Sequence, residues 1–337
     1  MSQIGRVRAT LAYIAPKVVQ FFFVIWATYT VTFLLVSLLP GDPLLAALSV
    51  KGGDATTTDP VVLAQLREQY GLDGSLIERY FAHAAAALGG DLGTSIATGD
   101  SVSRMVARAI PNTAAVAGLA LVLGVATSII LTYIAYVTRF RWVRQTVLQL
   151  PPFGIAVPAF LSGLVLVSVF SFGLGWLPSS GSRSPLSVVL PAITLALPVG
   201  AIFFQVFAAA VLDAMAGPYV FTAITKGLSP RRIFARHIFR NALLPSITML
   251  GVTVGYLAGG TAVVETVFSR TGIGRITVDA VISRDTNVIE GVVLVVAVIY
   301  SVVNLAVDLL YGVIDPRLRP KTGRRVTAAI ERSLVES

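Results

Sequence analysis

The sequence predicts an all-α integral membrane protein, with six transmembrane helices and a small extracytoplasmic subdomain between the first and second. Three observations carry this. Charged residues make up 13% of the 337 residues, about half the roughly 25% of an ordinary soluble domain. The remaining residues gather in nearly charge-free runs, each long enough for a hydrocarbon core of about 30 Å. The basic residues lie between the runs, where they act as topology signals.

Val18 to Leu39 is a charge-free run of 22 residues, about 33 Å as a helix. Arg6, Arg8 and Lys17 before it resemble the start of a secretory signal. The apolar run is longer than such signals carry, however, and Pro40-Gly-Asp-Pro43 offers no small-residue cleavage site. It reads as an uncleaved anchor. Further spans are expected at Thr113 to Val137, about Phe153 to Leu174, Val188 to Leu212, Pro245 to Val264 and about Ile289 to Val313. Prolines 151, 152, 158, 191 and 198 are expected to kink the third and fourth spans. In the fifth, Gly251, Gly255 and Gly259 share one face, a pattern that lets another helix approach closely.

Arg outnumbers Lys by 22 to 4. Segments 1–17, 138–144, 213–244 and 313–337 hold 17 of these residues and the alternate segments hold 9, which places both termini in the cytoplasm. The expected organisation is a cytoplasmic N-terminus over 1–17, a first helix over 18–40 and an extracytoplasmic subdomain over 41–111. A five-helix core over 112–313, including a cytoplasmic loop at 213–244, precedes a cytoplasmic tail over 314–337. Within the subdomain, Pro60 to Tyr70 has helical spacing at Val62, Leu66 and Tyr70, with Asp59 and Gly71 as caps. It suits either a docking surface for a soluble partner or a lid packed on the helices.

Several classes are disfavoured. The net charge of +9 does not mark a nucleic-acid binder, because the basic residues have no aromatic interleaving. With no Cys, thiolate metal sites have no ligands, and His83 and His237 alone leave little for a His-rich one. No Gly-Lys-Ser/Thr occurs, so any ATP must be bound by another chain. Only Glu290 and Asp308 fall within the expected spans, near an end, whereas ion-coupled transporters usually hold charges at mid-membrane. An ATP-independent secondary transporter or channel is the alternative class.

The loop 213–244 is more patterned than a connector needs. Tyr219 to Lys226 suits a short helix stopped by Gly227, and Ser229-Pro230 suits the start of a second. On that second helix Arg232, Arg236 and Arg240 oppose Ile233, Phe234 and Ile238. Two uses fit such helices: basic residues meeting lipid phosphates, or apolar faces docking a soluble motor.

The stretch from Tyr219 to Pro245 (YVFTAITKGLSPRRIFARHIFRNALLP) resembles the signature loop of binding-protein-dependent ABC importer permeases, and most closely the dipeptide/oligopeptide and nickel branch. Further matches are Leu39 to Pro43, Gly71-Leu-Asp73, Gly90-Asp-Leu-Gly93 with Ser95, Pro111-Asn-Thr113, Val264 to Phe268 with Gly272-Ile-Gly274, Arg284-Asp285, Asn304, Asp308, Tyr311 and Asp315-Pro-Arg317. The resemblance implies a type I importer permease fold in the cell membrane. The implied partners are a second homologous permease, an extracytoplasmic substrate-binding protein and two ATPase subunits that bind ATP and Mg. It assigns ATPase coupling to Thr222, Ala223, Lys226 and Gly227; Asp213, Arg231, Arg232 and Arg236 of the same loop join them as coupling candidates, and Asp42, Asp73 and Asp91 of the external loop are the candidates for binding-protein docking. Dipeptides or oligopeptides are the implied cargo, with nickel chelates, glutathione or haem-like ligands as alternatives. The branch commonly carries Arg where this chain has Gln205, Ala208, Phe221 and Ile224.

Overall fold

Apolar runs of this length must satisfy their own backbone in lipid, and only helices do so within one segment. The computed structural model describes residues 3–38, 41–42, 44–45 and 60–314. Asp59, most of the 39–43 motif, Asp315 to Arg317 and the tail lie outside the described residues.

The helices are α1 (Gln3–Ser37), α2 (Pro60–Gln69), α3 (Leu76–Leu88), α4 (Val102–Val137), α5 (Arg141–Gln149), α6 (Pro151–Ala156) and α7 (Ala159–Leu166). A π-helical stretch, Val167–Gly173, extends α7, and a 3₁₀ turn, Pro185–Val188, leads into α8 (Val189–Met215). Then come α9 (Pro218–Thr225), α10 (Pro230–Ile233), a π turn (Phe234–Ile238), α11 (Phe239–Val267), α12 (Ile273–Ser283) and α13 (Thr286–Ile314).

Five helices are long and apolar enough to cross a membrane, and a sixth crossing exists if one bent pair counts as a single span. That pair falls at the expected third span, where the prolines predict a kink. Arg141–Ala156 and Ala159–Gly173 meet at 103°, because Val157 and Pro158 are extended and Pro158 offers no N–H to continue the helix. Pro191 and Pro198, by contrast, sit inside an unbroken α8; Pro191 lies in the first turn, where its missing N–H breaks no helix bond. Two boundaries also move. Residues 102–111, expected in the subdomain, are the first turns of α4, and the helix beginning at Pro230 runs on through the π turn into α11 as one element, Pro230–Val267.

The most extensive packing joins α4 to α8. A Cβ on Gly124 would lie 2.7 Å from Val199 Cγ1 and 3.0 Å from the Gly200 nitrogen. Ser128 Oγ donates within this seam, to the carbonyls of Gly124 and Gly200, both at 2.7 Å. Gly251 and Gly255 do face α13, against Asn304 and Tyr300, but nothing lies within 4 Å of a Cβ on Gly259. The expected three-glycine seam is therefore two residues long within this chain. Gly124→Val is expected to separate α4 from α8 and lower stability by about 1–3 kcal/mol. Thermal unfolding in detergent checks this against Gly118→Val, whose Cβ meets nothing.

Candidate functional site

The candidate residues gather at two ends of the bundle. At one, α9 lies across the feet of α8 and α10. Pro218 opens it with the fixed φ a first helical residue needs. Gly227 closes it in the left-handed region, φ +72°, where its N–H donates to the Ile224 carbonyl (2.9 Å) and that of Leu228 to Ala223 (3.2 Å). This pair of bonds is the glycine-terminated cap that only a residue without Cβ adopts cheaply.

Val220 and Ala223 turn inward, joining a buried cluster with Phe207, Val211, Ile233, Phe234 and Ile238. The π turn widens the helix so that Phe234 and Ile238 both reach this cluster, and Phe234 packs edge-on against Tyr133 at 5.1 Å. About a quarter turn round the helix, Phe221 is 72% and Ile224 58% exposed, flanked by exposed Thr222, Thr225 and Lys226. The result is an anchored helix that presents two large apolar side chains outward.

Of the residues assigned to coupling, Asp213, Thr222, Lys226, Gly227, Arg231, Arg232 and Arg236 are exposed around this helix. Ala223 is not: it is 3% exposed and anchors the helix from beneath. The four departures from the branch pattern also divide. Phe221 and Ile224 lie on the outward face, whereas Ala208 is buried beside Phe204, Ala135 and Val147, where an Arg would have no room. Gln205 is exposed.

The other end gathers motif residues that are far apart in sequence. Glu265, fully buried within α11, was outside the expected span and corrects the statement that only two carboxylates lie in spans. Its carboxylate accepts from Thr113 Oγ1 of α4 (2.6 Å) and from the Arg275 N–H of α12 (3.1 Å). Thr113 in turn accepts from the Ile273 N–H at 2.8 Å. Buried Arg270 donates Nη1 to the carbonyls of Gly181 (2.9 Å) and Ser187 (3.0 Å). A Cβ on Gly272 would fall on the Glu265 carboxylate. The carboxylate is thus occupied in holding helices together. The sequence signal was the spacing of Pro111 to Thr113, Glu265 and Gly272 to Gly274, which carries no information on who meets whom.

Next to it, Asp285 accepts from Ser95 Oγ (2.5 Å) and the Ala97 N–H (3.0 Å), while Asn287 Nδ2 donates to the carbonyls of Thr94 (2.9 Å) and Tyr70 (3.2 Å). These bonds fasten the 60–101 segment to the start of α13.

The three acids assigned to docking differ. Asp73 and Asp91 are exposed. Asp42 is committed elsewhere: it pairs with Arg67 of α2 at 2.5 Å and accepts the Leu44 N–H at 2.9 Å. Burial pushes the Asp42 carboxyl up, but these bonds outweigh it and hold its pKa below the ordinary value. A depressed carboxylate pKa stabilises the fold above the unfolded-state value, about 3.9, and the effect is lost as pH falls through the folded pKa. The clip is therefore intact at neutral pH. Asp42→Asn is expected to speed proteolytic cutting within α2 at pH 7 by roughly two- to fivefold, the scale of a partly exposed pair, and to leave the rate insensitive to acidification.

Between the ends, α4, α11 and α13 line a half-open apolar pocket of about 250 Å³, with Ala117, Leu121, Val254, Ala258 and Tyr300 on its walls. A second, of about 470 Å³, lies between α4, the bent pair and α8.

A bundle of membrane-spanning helices with an anchored amphipathic helix at one end and a fastened subdomain at the other is the architecture of a transport permease. Residues 124–320 match the family described as binding-protein-dependent transport system inner membrane component, and the chain belongs to it, within the peptide and nickel branch of ABC importer permeases. The glutathione transport system permease protein GsiC of Escherichia coli O6:H1 is 34% identical over 311 residues, covering 92% of this chain and 100% of that protein. Its counterpart from Salmonella choleraesuis is 36% identical over 289 residues, 86% of this chain and 92% of that one. Among solved structures, an inward-facing MetNI methionine ABC transporter aligns with a TM-score of 0.54 at 17% identity, over 63% of this chain and 96% of that chain, a likeness of fold. Family membership makes the chain a multi-pass inner-membrane permease subunit that works with a second permease, an ATPase and a binding protein.

Proposed function

We propose that the chain passes short peptides, glutathione-like tripeptides among them, from an extracytoplasmic binding protein into the cytoplasm, driven by ATP and Mg bound in two partner ATPase subunits. The observation that carries this is α9: Phe221 and Ile224 stand outward on a helix whose other face is locked into the bundle. A lever needs both features, a contact that grips the motor and a base that transmits its movement. In this reading the loop 213–244 and both termini are cytoplasmic, as the positive-inside count requires. Closure of the ATPases pushes α9, and the π turn carries the displacement into α11, shifting the bundle as rigid helices. The apolar pockets suit a weakly binding path, since tight binding along it would slow release. Exposed Asp73 and Asp91 receive the binding protein, while Asp42 holds the receiving surface in shape.

The peptide assignment rests on the branch and on the glutathione permeases that resemble the chain across nearly its full length. It is tested by uptake of labelled glutathione and of a dipeptide in cells with and without this chain. Loss of either on deletion supports it; loss confined to a nickel chelate or haem overturns it. For coupling, Phe221→Asp is expected to weaken ATPase docking by about 2 kcal/mol, about thirtyfold in affinity. Co-purification of the ATPase subunits measures this. Unchanged recovery would remove α9 from the interface.

A further inference from the structure

Helix α3 is amphipathic in an unusual way. Its inner face docks on the bundle: Tyr80 Oη lies 2.8 Å from Thr30 Oγ1 of α1, the Tyr29 hydroxyl donates to the Tyr80 carbonyl at 2.8 Å, and His83 Nδ1 meets Glu290 of α13 at 3.1 Å. About a quarter turn away, Ile77, Phe81 and Leu88 are 71%, 64% and 92% exposed. Beyond that stripe lie Glu78 and Ala82, also exposed. The helix thus has three sides, one on protein, one apolar and bare, and one suited to water.

The depth of its docking identifies what covers the bare side. Thr30 lies seven residues before the end of α1 at Ser37, about 10 Å along the helix. In those last two turns α1 exposes Leu34 and Leu35, and Leu38 just after its end is exposed too, so an apolar, outward-facing surface continues past the level at which α3 sits. The tyrosines at the contact are residues that favour the membrane–water boundary. We propose that α3 lies in the outer leaflet as an interfacial helix, its Ile77–Phe81–Leu88 stripe against lipid and continuous with the lipid-facing side of α1. Such a helix buries its apolar face about 5–10 Å below the headgroups. Residues 76–88 therefore do not belong to a surface that a soluble partner covers, and they fix the level of the subdomain relative to the bilayer.

The absence of cysteine from the chain makes the test direct. Single variants Ile77→Cys, Phe81→Cys and Leu88→Cys are compared with Glu68→Cys, on exposed α2. Each is exposed to a membrane-impermeant maleimide, once in native membranes with the importer assembled and once with the purified full-length chain alone in phosphatidylcholine vesicles. The expected result is labelling at least tenfold slower at the three stripe positions than at residue 68 in both settings. A fluorophore at residue 81 is expected to be quenched by lipid nitroxides placed near the headgroup. Labelling as fast as at residue 68 overturns the proposal. Protection in the assembled importer that vanishes for the chain alone overturns it too, in favour of a protein partner on this face. Recovery of each variant from the membrane fraction, with the helical circular dichroism of the parent chain after purification, shows that it is inserted and folded, and neither arm depends on which solute is transported.

Discussion

Gly227→Val is expected to abolish transport-linked ATP hydrolysis while membrane insertion and the helical bundle survive. The residue's φ of +72° costs a residue with a Cβ roughly 1–2 kcal/mol, and β-branching adds to that. Nothing within 4 Å opposes the new side chain, so the change is relieved locally, by turning Leu228 and the end of α9 rather than by disrupting the core. That relief re-aims Phe221 and Ile224, the two side chains the coupling reading places against the motor. The measurement is ATPase activity of the reconstituted importer with and without loaded binding protein, alongside far-UV circular dichroism of the purified chain. Normal stimulated activity in a folded variant would take this loop out of the mechanism.

Glu265→Ala is expected to act in the opposite way, through stability. The carboxylate is the shared acceptor for Thr113 and for the Arg275 N–H, and it lies near buried Arg270. Removing it orphans buried donors and leaves a cation without its counter-charge, a loss of about 3–5 kcal/mol. Glu265→Gln keeps one acceptor oxygen, loses the charge and turns an amide NH2 toward the other donor, and should fall between. Gly272→Ala should resemble the Ala variant although it touches no donor, because its Cβ occupies the carboxylate's space. Unfolding in detergent and recovery of the chain from membranes measure the series; equal stability of all four proteins would show that the cluster holds nothing.

The two glycines show what a sequence discloses. Gly227 was legible as a helix stop because its constraint is local: a left-handed φ at the end of an eight-residue helix is a property of neighbouring residues. Gly272 was legible only as part of a pattern, since its constraint is a carboxylate seven positions back on another helix. The same division runs through the chain. Hydropathy announced five of the helices in order, and the alternation of Arg232 and Arg236 with Ile233 and Phe234 correctly separated an exposed from a buried face.

By itself the sequence determined the class of protein, the number and order of apolar runs, and the position and shape of α9, since each follows from helical period, charge spacing and backbone preference within a few residues. The tertiary structure alone decided the rest: that the kink expected in the third run is as sharp as 103°, that Gly124 and Gly200, unlike Gly259, seat one helix against another, and that Ala223 faces inward. It alone joined Ser95 to Asp285 and Thr113 to Glu265. These depend on which surfaces meet across 150 or more residues of chain, and hydrophobic periodicity specifies that a face is buried without specifying against what.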